Sequence, residues 1–438
     1  MKPAARIEAS IEVIDSVLAE DSVPADSLLT AYFRNRRYIG SQDRKAITEL
    51  FYQILRHKII LAAIWQNVTL KKITTGRDLM LTGLIYLQKY TTNAIAEYFS
   101  GDAYGPRRLS KREQEFIIAL STFSVTQLTE AEQWNVQNWQ LQELKNNFGD
   151  DSYHLLDALN HQAPFDLRVN TLNTTRQTVQ KRLEQEDIKA LPGRYSPVAL
   201  RLSDRRPLGK HPLWVDGSIE VQDEGSQLIT YLVDAKPDQS VWDYCAGAGG
   251  KTLAIAALML NQGRIVATDT IDWRLDRSRE RLKRAGVQNV ECHVLDETTN
   301  KWVKRQQGKF DRVLIDVPCS GSGTWRRNPD LKWRLQESNF QDLLAIQAQI
   351  FLKAAKLVKA GGRLIYSTCS LFPSENIMQV QRFLNENPQF SFIPITEIWS
   401  QVLPGSCPTT EPVLQLRPDI HQVDGFFIAV LQRRLSVD

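Results

Sequence analysis

The stretch Phe310-Asp-Arg-Val-Leu-Ile-Asp-Val-Pro-Cys-Ser-Gly-Ser-Gly-Thr324 runs from an apolar segment into a loop of small residues. Its first part, Phe310 to Val317, is rich in Val, Leu and Ile, which is typical of a buried parallel strand in an open α/β sheet. Ligands of such sheets bind just beyond the carboxyl ends of the strands. Asp316 and Cys319 stand at that point, and we therefore expect them to lie in a functional site.

A second stretch, Gly361-Gly-Arg-Leu-Ile-Tyr-Ser-Thr-Cys-Ser370, repeats this form with a turn, a short apolar strand and a polar loop that carries a thiol. Cys319 and Cys369 are therefore predicted to end two strands at one edge of the sheet. An arbitrary cysteine is most often a small buried apolar residue, which is our interpretation of Cys292 and Cys407. Two cysteines at matching strand ends favour a chemical role instead.

Length and composition limit the possible classes of protein. A chain of 438 residues is too long for one core and predicts two or three domains. The longest apolar run, Leu253 to Leu260, is too short for a membrane span, and the first twenty residues contain no apolar signal-peptide core. We therefore expect a cytoplasmic protein without a membrane partner. Five cysteines without a C-x-x-C pair argue against a disulfide framework and a structural zinc site, so no metal is predicted.

Basic residues are clustered, although the net charge is only +4. Each cluster taken alone is most simply a solvated surface, but several together favour a polyanionic partner. Arg326-Arg327 lies between Trp325 and Trp333, a combination that suits contact with RNA by charge and stacking. An aromatic core with a charged rim would give the same pattern.

Three regions follow one another along the chain. Residues 1–125 carry apolar residues at helical spacing, which predicts an all-α domain. Residues 126–225 mix helical and strand patterns and predict a small α/β domain. From residue 226 to 438, strand and helix patterns alternate as in a doubly wound sheet. There we predict strands at 240–245, 263–269, 289–295, 310–317, 361–367 and 425–431, helices at 251–261, 272–285, 339–359 and 374–386, and helix C-terminal glycines at Gly263, Gly286 and Gly361.

The stretch Asp243-Tyr-Cys-Ala-Gly-Ala-Gly-Gly-Lys-Thr252 follows the first of these strands and opens the first helix. Its glycines let the backbone approach a ligand, and the free amides of a helix start suit a polar or anionic group. It is not a Walker A loop, because Cys245 stands where that loop needs its first Gly. It is also an incomplete dinucleotide fingerprint, since Thr252 replaces the third Gly.

Acidic residues at successive strand ends favour a nucleoside-bearing cofactor. Asp269 ends the second strand about 20 residues further on, where a carboxylate can accept both ribose hydroxyls. Asp296 closes the third strand in the same way, and Asp316 ends the fourth. The predicted cofactor-contacting residues are Cys245, Ala246, Gly247, Ala248, Gly249, Gly250, Lys251, Asp269, Asp296 and Asp316.

Several stretches together resemble one family. Cys245-Ala-Gly-Ala-Gly-Gly-Lys251, Asp316-Val-Pro-Cys-Ser-Gly-Ser-Gly323 and Ser367-Thr-Cys-Ser370 are similar to motifs of the Sun/RsmB family of S-adenosylmethionine-dependent RNA cytosine-5 methyltransferases. The resemblance covers roughly residues 140 to 435 and departs from the family at Ala248, where members commonly have Pro. Four shorter stretches also look like the family's pattern: Leu167-Arg-Val-Asn-Thr171, Val221-Gln-Asp223, Ser374-Glu-Asn376 and Asp424-Gly-Phe-Phe427.

The resemblance implies both a fold and a function. The fold would be a Rossmann-like methyltransferase domain, preceded by a small RRM-like α/β domain and a NusB-like, RNA-binding N-terminal domain. The cofactor would be S-adenosylmethionine, and the product 5-methylcytosine in RNA. Small-subunit (16S) ribosomal RNA is the favoured substrate, and transfer RNA is the alternative. A monomer is expected.

The chemistry explains why such an enzyme needs two thiols. C5 of cytosine is too electron-poor to attack a sulfonium methyl group until a nucleophile adds at C6, and a thiolate is suited to that addition. By resemblance Cys369 attacks and Cys319 assists release, an order that the sequence alone does not decide. Asp316 would bond the N3 or amino edge of the base, and Lys251 would position the base or stabilise charge.

Two hypotheses from other classes remain. A nicotinamide-dependent oxidoreductase could use the same glycine loop, but it leaves the missing third Gly and the cysteine pair unexplained. A non-catalytic RNA-binding assembly factor could keep the fold, but it would need neither the thiols nor the three acidic residues.

Overall fold

The computed structural model of the protein describes residues 1–71 and 74–435. The chain forms two compact units, one made of Met1–Gln162 with Thr324–Glu337 and the other made of Ala163–Gly323 with the residues from Ser338 onward. The short segment that directly follows the Cys319 loop therefore belongs to the first unit. The three-domain division at residues 125 and 225 stays a prediction.

The regular elements described in the first unit are helices, as predicted for its N-terminal part. Apolar residues at helical spacing, such as Ile7, Ile11 and Ile14 on the first helix, are buried in one core. Capping boxes begin several of the helices, for example at Thr75 and Ser110. The helices are α1 (Pro3–Ala19), α2 (Ala25–Asn35), α3 (Ser41–Arg56), α4 (Lys58–Thr69), α5 (Gly76–Tyr86), α6 (Thr92–Tyr98), α7 (Lys111–Leu120), α8 (Glu130–Gln133), α9 (Asn138–Phe148), α10 (Ser152–Asn160) and, from the later segment, α17 (Leu331–Arg334).

The later segment buries charged and aromatic side chains inside this unit. Trp325 and Arg326 are 1% and 6% exposed, which favours the core interpretation of this stretch over a surface for RNA. Lys332 is buried as well; its Nζ donates to Oδ1 of Asn160 at 2.6 Å and to the carbonyl oxygen of Arg56 at 3.4 Å. Burial, with a smaller contribution from the charge of Arg56, lowers the pKa of Lys332 to about 7.

Replacing Lys332 by methionine should stabilise the first unit more at about pH 6 than at about pH 9. Between the folded pKa of about 7 and the unfolded value of 10.5, the unfolded chain binds the additional proton, so wild-type stability rises with pH. Below this window both states are protonated, and the buried charge opposes folding by on the order of 4 kcal/mol. Thermal unfolding of both proteins at the two pH values measures the effect. A difference in Tm that did not change with pH would contradict it.

The second unit begins with a small antiparallel sheet. Its strands are β1 (Phe165–Val169), β2 (Ala190–Pro192), β3 (Ala199–Leu202) and β4 (Ile219–Val221), in the order β2-β3-β1-β4. The helices α11 (Arg176–Gln185) and α12 (Pro212–Val215) lie between these strands in the chain. Leu167, Val179 and Leu200 share one buried cluster, so the mixed pattern of this region did predict a small α/β fold.

A large mixed sheet forms the rest of this unit. Strands β5 to β9 are parallel to one another, and the last strand, β12, is inserted antiparallel between β9 and β10. The order is β10-β12-β9-β8-β5-β6-β7, with β11 paired to β12. The strands are β5 (Ser240–Asp243), β6 (Arg264–Asp269), β7 (Val290–Val294), β8 (Phe310–Asp316), β9 (Val358–Thr368), β10 (Phe390–Ile393), β11 (Leu414–Leu416) and β12 (Phe426–Arg433).

Helices connect the strands of this sheet. They are α13 (Glu224–Leu232), α14 (Gly250–Leu258), α15 (Asp272–Arg284), α16 (Asn300–Lys304), α18 (Glu337–Ala355), α19 (Ile377–Glu386), α20 (Ile395–Val402) and α21 (Pro418–His421). None of the helices in residues 1–71 and 74–435 is long and apolar enough to cross a membrane.

Both faces of the large sheet are covered by a core. Val241 and Leu314 belong to one buried cluster, whereas their neighbours Trp242, Val313 and Ile315 belong to another. Successive side chains of a strand point to opposite faces, so two covered faces require apolar residues at every position. This requirement explains the nearly continuous apolar runs that predicted the parallel strands.

The chain order of the strands reverses at β5, because β6 and β7 follow on one side of it and β8 and β9 on the other. A doubly wound sheet opens a crevice at such a point, outside the carboxyl ends of its strands. Asp243, Asp269 and Asp316 are the last residues of β5, β6 and β8. The topology therefore directs the predicted site residues toward one crevice.

Two of the three predicted helix C-terminal glycines were wrong, because α14 ends at Leu258, well before Gly263, and Gly361 lies in a strand. Gly286 follows the end of α15 with a φ of +72°, as expected, and Gly263 lies in the turn between α14 and β6. Gly361 lies inside β9, beside an irregularity in the pairing of β8 with β9. Its φ of +74° fits a bulge, where Gly tolerates the left-handed conformation. The helix predicted to run to residue 359 ends earlier, at Ala355.

Candidate active site

The two predicted thiols lie side by side. The sulfur atoms of Cys319 and Cys369 are 3.3 Å apart, and both side chains are half-buried. This proximity follows from the register of β8 and β9, which places Asp316 opposite Ser367 at the ends of the two strands. The hydrogen bond with Cys369 and burial raise the pKa of Cys319 well above its usual value. The Cys319 thiol therefore stays protonated beside Cys369.

Backbone contacts hold the two loops against each other. The amide of Gly323 donates to the carbonyl oxygen of Cys369 at 2.9 Å, and the amide of Gly425 donates to the carbonyl oxygen of Gly323 at 2.9 Å. A Cβ atom on Gly323 would lie 2.1 Å from the carbonyl oxygen of Gly425, so no larger residue fits there. The Asp424-Gly-Phe-Phe427 stretch thus packs its glycine against the Cys319 loop.

Lys251 and Asp316 form an ion pair beside the thiols. Lys251 Nζ lies 2.5 Å from Oδ2 of Asp316, whose Oδ1 accepts the Ser367 hydroxyl at 3.0 Å. Burial opposes the charged form of Lys251, but the charge of Asp316 and the hydrogen bond to it outweigh burial and raise the pKa of Lys251. Cys369 contributes in the same direction. The charged ammonium group of Lys251 thus lies within electrostatic reach of Cys369.

The predicted cofactor loop joins β5 to α14. Gly249 ends it with a φ of +78°, and a Cβ atom there would lie 2.2 Å from the hydroxyl oxygen of Ser278. Oδ2 of Asp269 accepts the amide of Gly247 at 2.9 Å, and Oδ1 accepts the amide of Ile271 at 2.9 Å. Each oxygen of the Asp269 carboxylate keeps capacity for a further donor, as contact with two ribose hydroxyls requires.

Three carboxylates give this end of the sheet a negative potential. Burial, opposed by the hydrogen bond from Thr252 and assisted by the charge of Asp316 and, less, of Asp269, raises the pKa of Asp243 to about 6. Burial and then the charges of Asp243, Asp316 and Asp269 raise the pKa of Cys245 well above its usual value, so this thiol stays protonated. Negative charge here suits a cofactor that carries positive groups, and the residues present fit S-adenosylmethionine in this respect.

Asp296 is placed differently from the other acidic residues. It is exposed and lies two residues beyond β7, where its Oδ1 accepts the amides of Thr298 and Thr299 at 2.9 and 3.0 Å. The Thr298 hydroxyl also donates to this oxygen. Its hydrogen bond, together with those from the two amides, lowers the pKa of Asp296. The preceding residue, Leu295, donates its amide to the carbonyl oxygen of Asp269. Asp296 thus adjoins the loop of Asp269, and its contact with the cofactor stays a prediction.

Two arginines outside the predicted site, one on the small sheet and one on α15, donate hydrogen bonds to the predicted cofactor loop. Arg168 on β1 donates from Nη1 to the carbonyl oxygen of Gly250 and to Oε1 of Gln222, both at 2.6 Å. Arg281 on α15 donates to the carbonyl oxygen of Ala248 at 2.6 Å. Burial lowers the pKa of Arg168 to about 10. Arg168 and Gln222 lie in the stretches Leu167–Thr171 and Val221–Asp223, which resemble the family's pattern. Nothing in these stretches alone indicates which residues they contact.

Replacing Arg168 by alanine should weaken binding of S-adenosylmethionine by about tenfold, because a lost charge-assisted hydrogen bond is worth roughly 1.5–3 kcal/mol. The loop around Gly250 would lose the donor that fixes one of its carbonyl groups. Isothermal titration calorimetry with the cofactor measures the effect. Arg201→Ala is the matched control, because Arg201 on β3 pairs with Asp166 at 2.7 Å in the same sheet. If both variants bound the cofactor equally well, Arg168 would have no specific role in the loop.

Comparison with known proteins identifies the family. A family model described as 16S rRNA methyltransferase RsmB/F matches residues 230–432, and a model of the ferredoxin-like domain of RsmF/B-like methyltransferases matches residues 137–208. The second match agrees with the small sheet of β1 to β4, and the first with the large sheet and its helices.

Relatives match over most of the chain. The probable ribosomal RNA small subunit methyltransferase B of Synechocystis sp. is 32% identical over 82% of this chain and 78% of that protein. The ribosomal RNA small subunit methyltransferase B of Vibrio cholerae is 31% identical over 93% of this chain and 94% of that protein. The crystal structure of the protein PH0851 is similar with a TM-score of 0.80 and 25% identity, and the likeness covers 99% of each chain.

These matches extend through the segments that carry both cysteine loops, the glycine loop and the small sheet. They confirm the Rossmann-like fold with a preceding small α/β domain and a helical N-terminal region, and they confirm S-adenosylmethionine as the cofactor. Both relatives are described as methyltransferases of small-subunit ribosomal RNA. The chain belongs to the Sun/RsmB family of S-adenosylmethionine-dependent ribosomal RNA methyltransferases.

Proposed function

We propose that the protein methylates C5 of a cytosine in 16S ribosomal RNA through a covalent adduct between Cys369 and C6 of the base. The observation that carries this proposal is the pair of sulfur atoms 3.3 Å apart at the ends of adjacent strands. Methylation of an amino or hydroxyl group needs no nucleophile in the protein, whereas methylation of C5 needs one to add to the ring and a second group to assist its release.

The cofactor supplies an electrophilic methyl group, and the protein supplies binding, orientation and charge. The loop from Cys245 to Gly250 and the carboxylate of Asp269 would hold its nucleoside part. The carboxylates of Asp243 and Asp316 would face its positive charges. Cys245 lies in this loop as a protonated thiol, so we assign it a packing role and no part in the covalent chemistry.

Cys369 is the nucleophile in this proposal because the resemblance to the Sun/RsmB family assigns it the attack and because the charged group of Lys251 interacts with it. The sulfur of Cys369 would bond to C6, and the electron pair displaced toward C5 would take the methyl group as its bond to the cofactor's sulfur breaks and leaves that electron pair on the sulfur. A base then removes the proton from C5, the sulfur–C6 bond breaks, and its electrons return to the sulfur. The ring thereby regains its 5,6 double bond.

Cys319 is the base for the C5 proton. In the free protein the neighbouring sulfur of Cys369 is the largest influence that raises the pKa of Cys319. Once Cys369 is bonded to the base, it can no longer share a proton or carry a negative charge, so the pKa of Cys319 falls. Cys319 would thus be able to release its own proton to solvent and, as a thiolate, accept the proton from C5.

Asp316 and the N-terminal helices would bind the substrate. The carboxylate of Asp316 can accept a hydrogen bond from the exocyclic amino group of cytosine while Lys251 balances its charge.

We assign residues 1–125 to a NusB-like domain that holds structured RNA, residues 126–225 to the small α/β domain and residues 226–438 to catalysis. The cytoplasmic location and the monomeric state stay predictions.

Incubation with radiolabelled S-adenosylmethionine tests the proposal directly. The protein should label 16S ribosomal RNA isolated from cells that lack it, and bisulfite sequencing should locate one new 5-methylcytosine. Transfer RNA from the same cells is the parallel substrate, and labelling of that fraction alone would favour the alternative substrate. Label in a product other than 5-methylcytosine would contradict the proposed chemistry.

A further inference from the structure

A buried carboxylate lies between the two cysteine loops. Glu375 is 0% exposed and lies between β9 and α19. Its Oε1 accepts the amide of Ser320 at 2.7 Å and the side-chain amide of Gln347 at 2.9 Å. Its Oε2 accepts the hydroxyl of Ser320 at 2.5 Å and the hydroxyl of Ser370. One side chain therefore receives four hydrogen bonds from neutral donors.

The donors connect Glu375 to both thiols. Ser320 directly follows Cys319 in the chain, and Ser370 directly follows Cys369. Gln347 also donates to the carbonyl oxygen of Pro318, the residue before Cys319, at 3.0 Å. The Glu375 carboxylate thus fixes the backbone next to Cys319 and the side chain next to Cys369.

The backbone of Glu375 is itself held in place. The hydroxyl of Tyr366 on β9 donates to the carbonyl oxygen of Glu375 at 2.5 Å. The next residue, Asn376, accepts the Thr368 hydroxyl at 2.6 Å and donates to the carbonyl oxygen of Ser370 at 2.9 Å. The strand that leads to Cys369 therefore orients the carboxylate that ties the Cys319 loop.

A carboxylate in this position has an energetic cost. Burial raises the pKa of Glu375, although its hydrogen bonds to Ser320, Ser370 and Gln347 act in the opposite direction. An apolar residue of similar size would avoid that penalty if the site served packing alone. Its negative charge also contributes, after the effects of Cys369 and burial, to the raised pKa of Cys319.

We propose that Glu375 is a positioning residue that sets the separation of the Cys319 and Cys369 sulfurs through its hydrogen bonds to Ser320 and Ser370. The inference rests on the proposed function for its purpose, because the separation matters only if both thiols act on one base. The hydrogen bonds of Glu375 to the two serines are a property of the folded protein, and their effect on the thiols can be measured without RNA or cofactor.

Three variants separate the hydrogen bonds from the charge and from general stability. Glu375→Ala removes all four acceptor contacts. Glu375→Gln keeps Oε1 as an acceptor and offers an amide to the two serine hydroxyls, which can turn and accept because a hydroxyl serves both roles. Asp234→Ala is the matched control: Asp234 is a buried carboxylate that Arg363 binds at 2.9 Å, and it precedes β5 at the opposite edge of the sheet.

The first readout is oxidation of the two thiols by diamide, which takes up two electrons and two protons as the disulfide forms. Peptide mass spectrometry follows the Cys319–Cys369 disulfide with time. Glu375→Ala should slow its formation at least about tenfold, since the advantage of adjacent thiols depends on their orientation. Glu375→Gln should stay within about threefold of wild type, and Asp234→Ala should match wild type at a temperature where both are folded.

The second readout is turnover with RNA. Glu375→Ala should lower kcat by about tenfold or more and leave KM for S-adenosylmethionine within about twofold, because the cofactor loop does not contact Glu375. Glu375→Gln should restore most of kcat. The inference is overturned if folded Glu375→Ala oxidises at the wild-type rate, or if Asp234→Ala slows oxidation as much. If the variants differ in oxidation rate as expected but wild type transfers no methyl group to RNA, the proposed function is wrong and the positioning role of Glu375 is supported.

Discussion

Replacing Cys369 by alanine should reduce methyl transfer by a factor of about 1,000 or more, because loss of a covalent nucleophile removes the main route of the reaction. The affinity for S-adenosylmethionine should stay within about twofold, since this thiol is not among the residues proposed to hold the cofactor. Single-turnover transfer of a labelled methyl group to RNA measures the first effect, and calorimetry measures the second.

The control for this experiment is Cys407→Ala. Cys407 is a half-buried thiol that packs against the apolar cluster on one face of the large sheet, and burial raises its pKa. Its replacement removes one sulfur atom of comparable burial without touching the site. Equal activity of Cys369→Ala and wild type would remove Cys369 from the mechanism, whereas equal losses in both variants would indicate general damage.

Replacing Cys319 by alanine should trap the enzyme on its substrate. Without the base for the C5 proton, the methylated adduct can form but cannot break its bond to Cys369. Turnover should fall by about 100- to 10,000-fold, the range of a lost general acid–base group. A radiolabelled RNA should at the same time migrate with the protein on a denaturing gel, and protease treatment should release it.

The double variant Cys319→Ala, Cys369→Ala identifies the residue that holds the RNA. It should show no adduct, because the attacking sulfur is absent. An adduct that instead accumulated in Cys369→Ala would reverse the roles of the two thiols. Trapping should also require S-adenosylmethionine, since the unmethylated adduct can expel the thiolate by reversing the addition.

The charges around the two sulfurs give a physical reason for their different roles. Lys251 is cationic and interacts with Cys369, whereas the charge of Glu375 raises the pKa of Cys319. The anion favours the protonated form of Cys319. The resemblance implies the order in which Cys369 attacks and Cys319 assists release.

Much of the fold could be predicted from local patterns. The runs at 313–315 and 364–366 are apolar at successive positions, because both faces of a parallel sheet are covered. The end of α18 could not be placed in this way. Leu357 and Val358 continue the apolar pattern beyond the helix and are buried in the same core, so no local signal separates helix from strand there.

The sequence by itself determined the class of fold, the order of the motifs and the family, because apolar periodicity and short motifs are local properties of the chain. Only the tertiary structure decided that two sulfurs separated by 50 residues lie 3.3 Å apart, that Lys251 pairs with Asp316 and that Glu375 ties both cysteine loops. Such contacts depend on strand order, on register and on the paths of loops across a common edge. These are set by the packing of the whole sheet, which no single stretch of residues encodes.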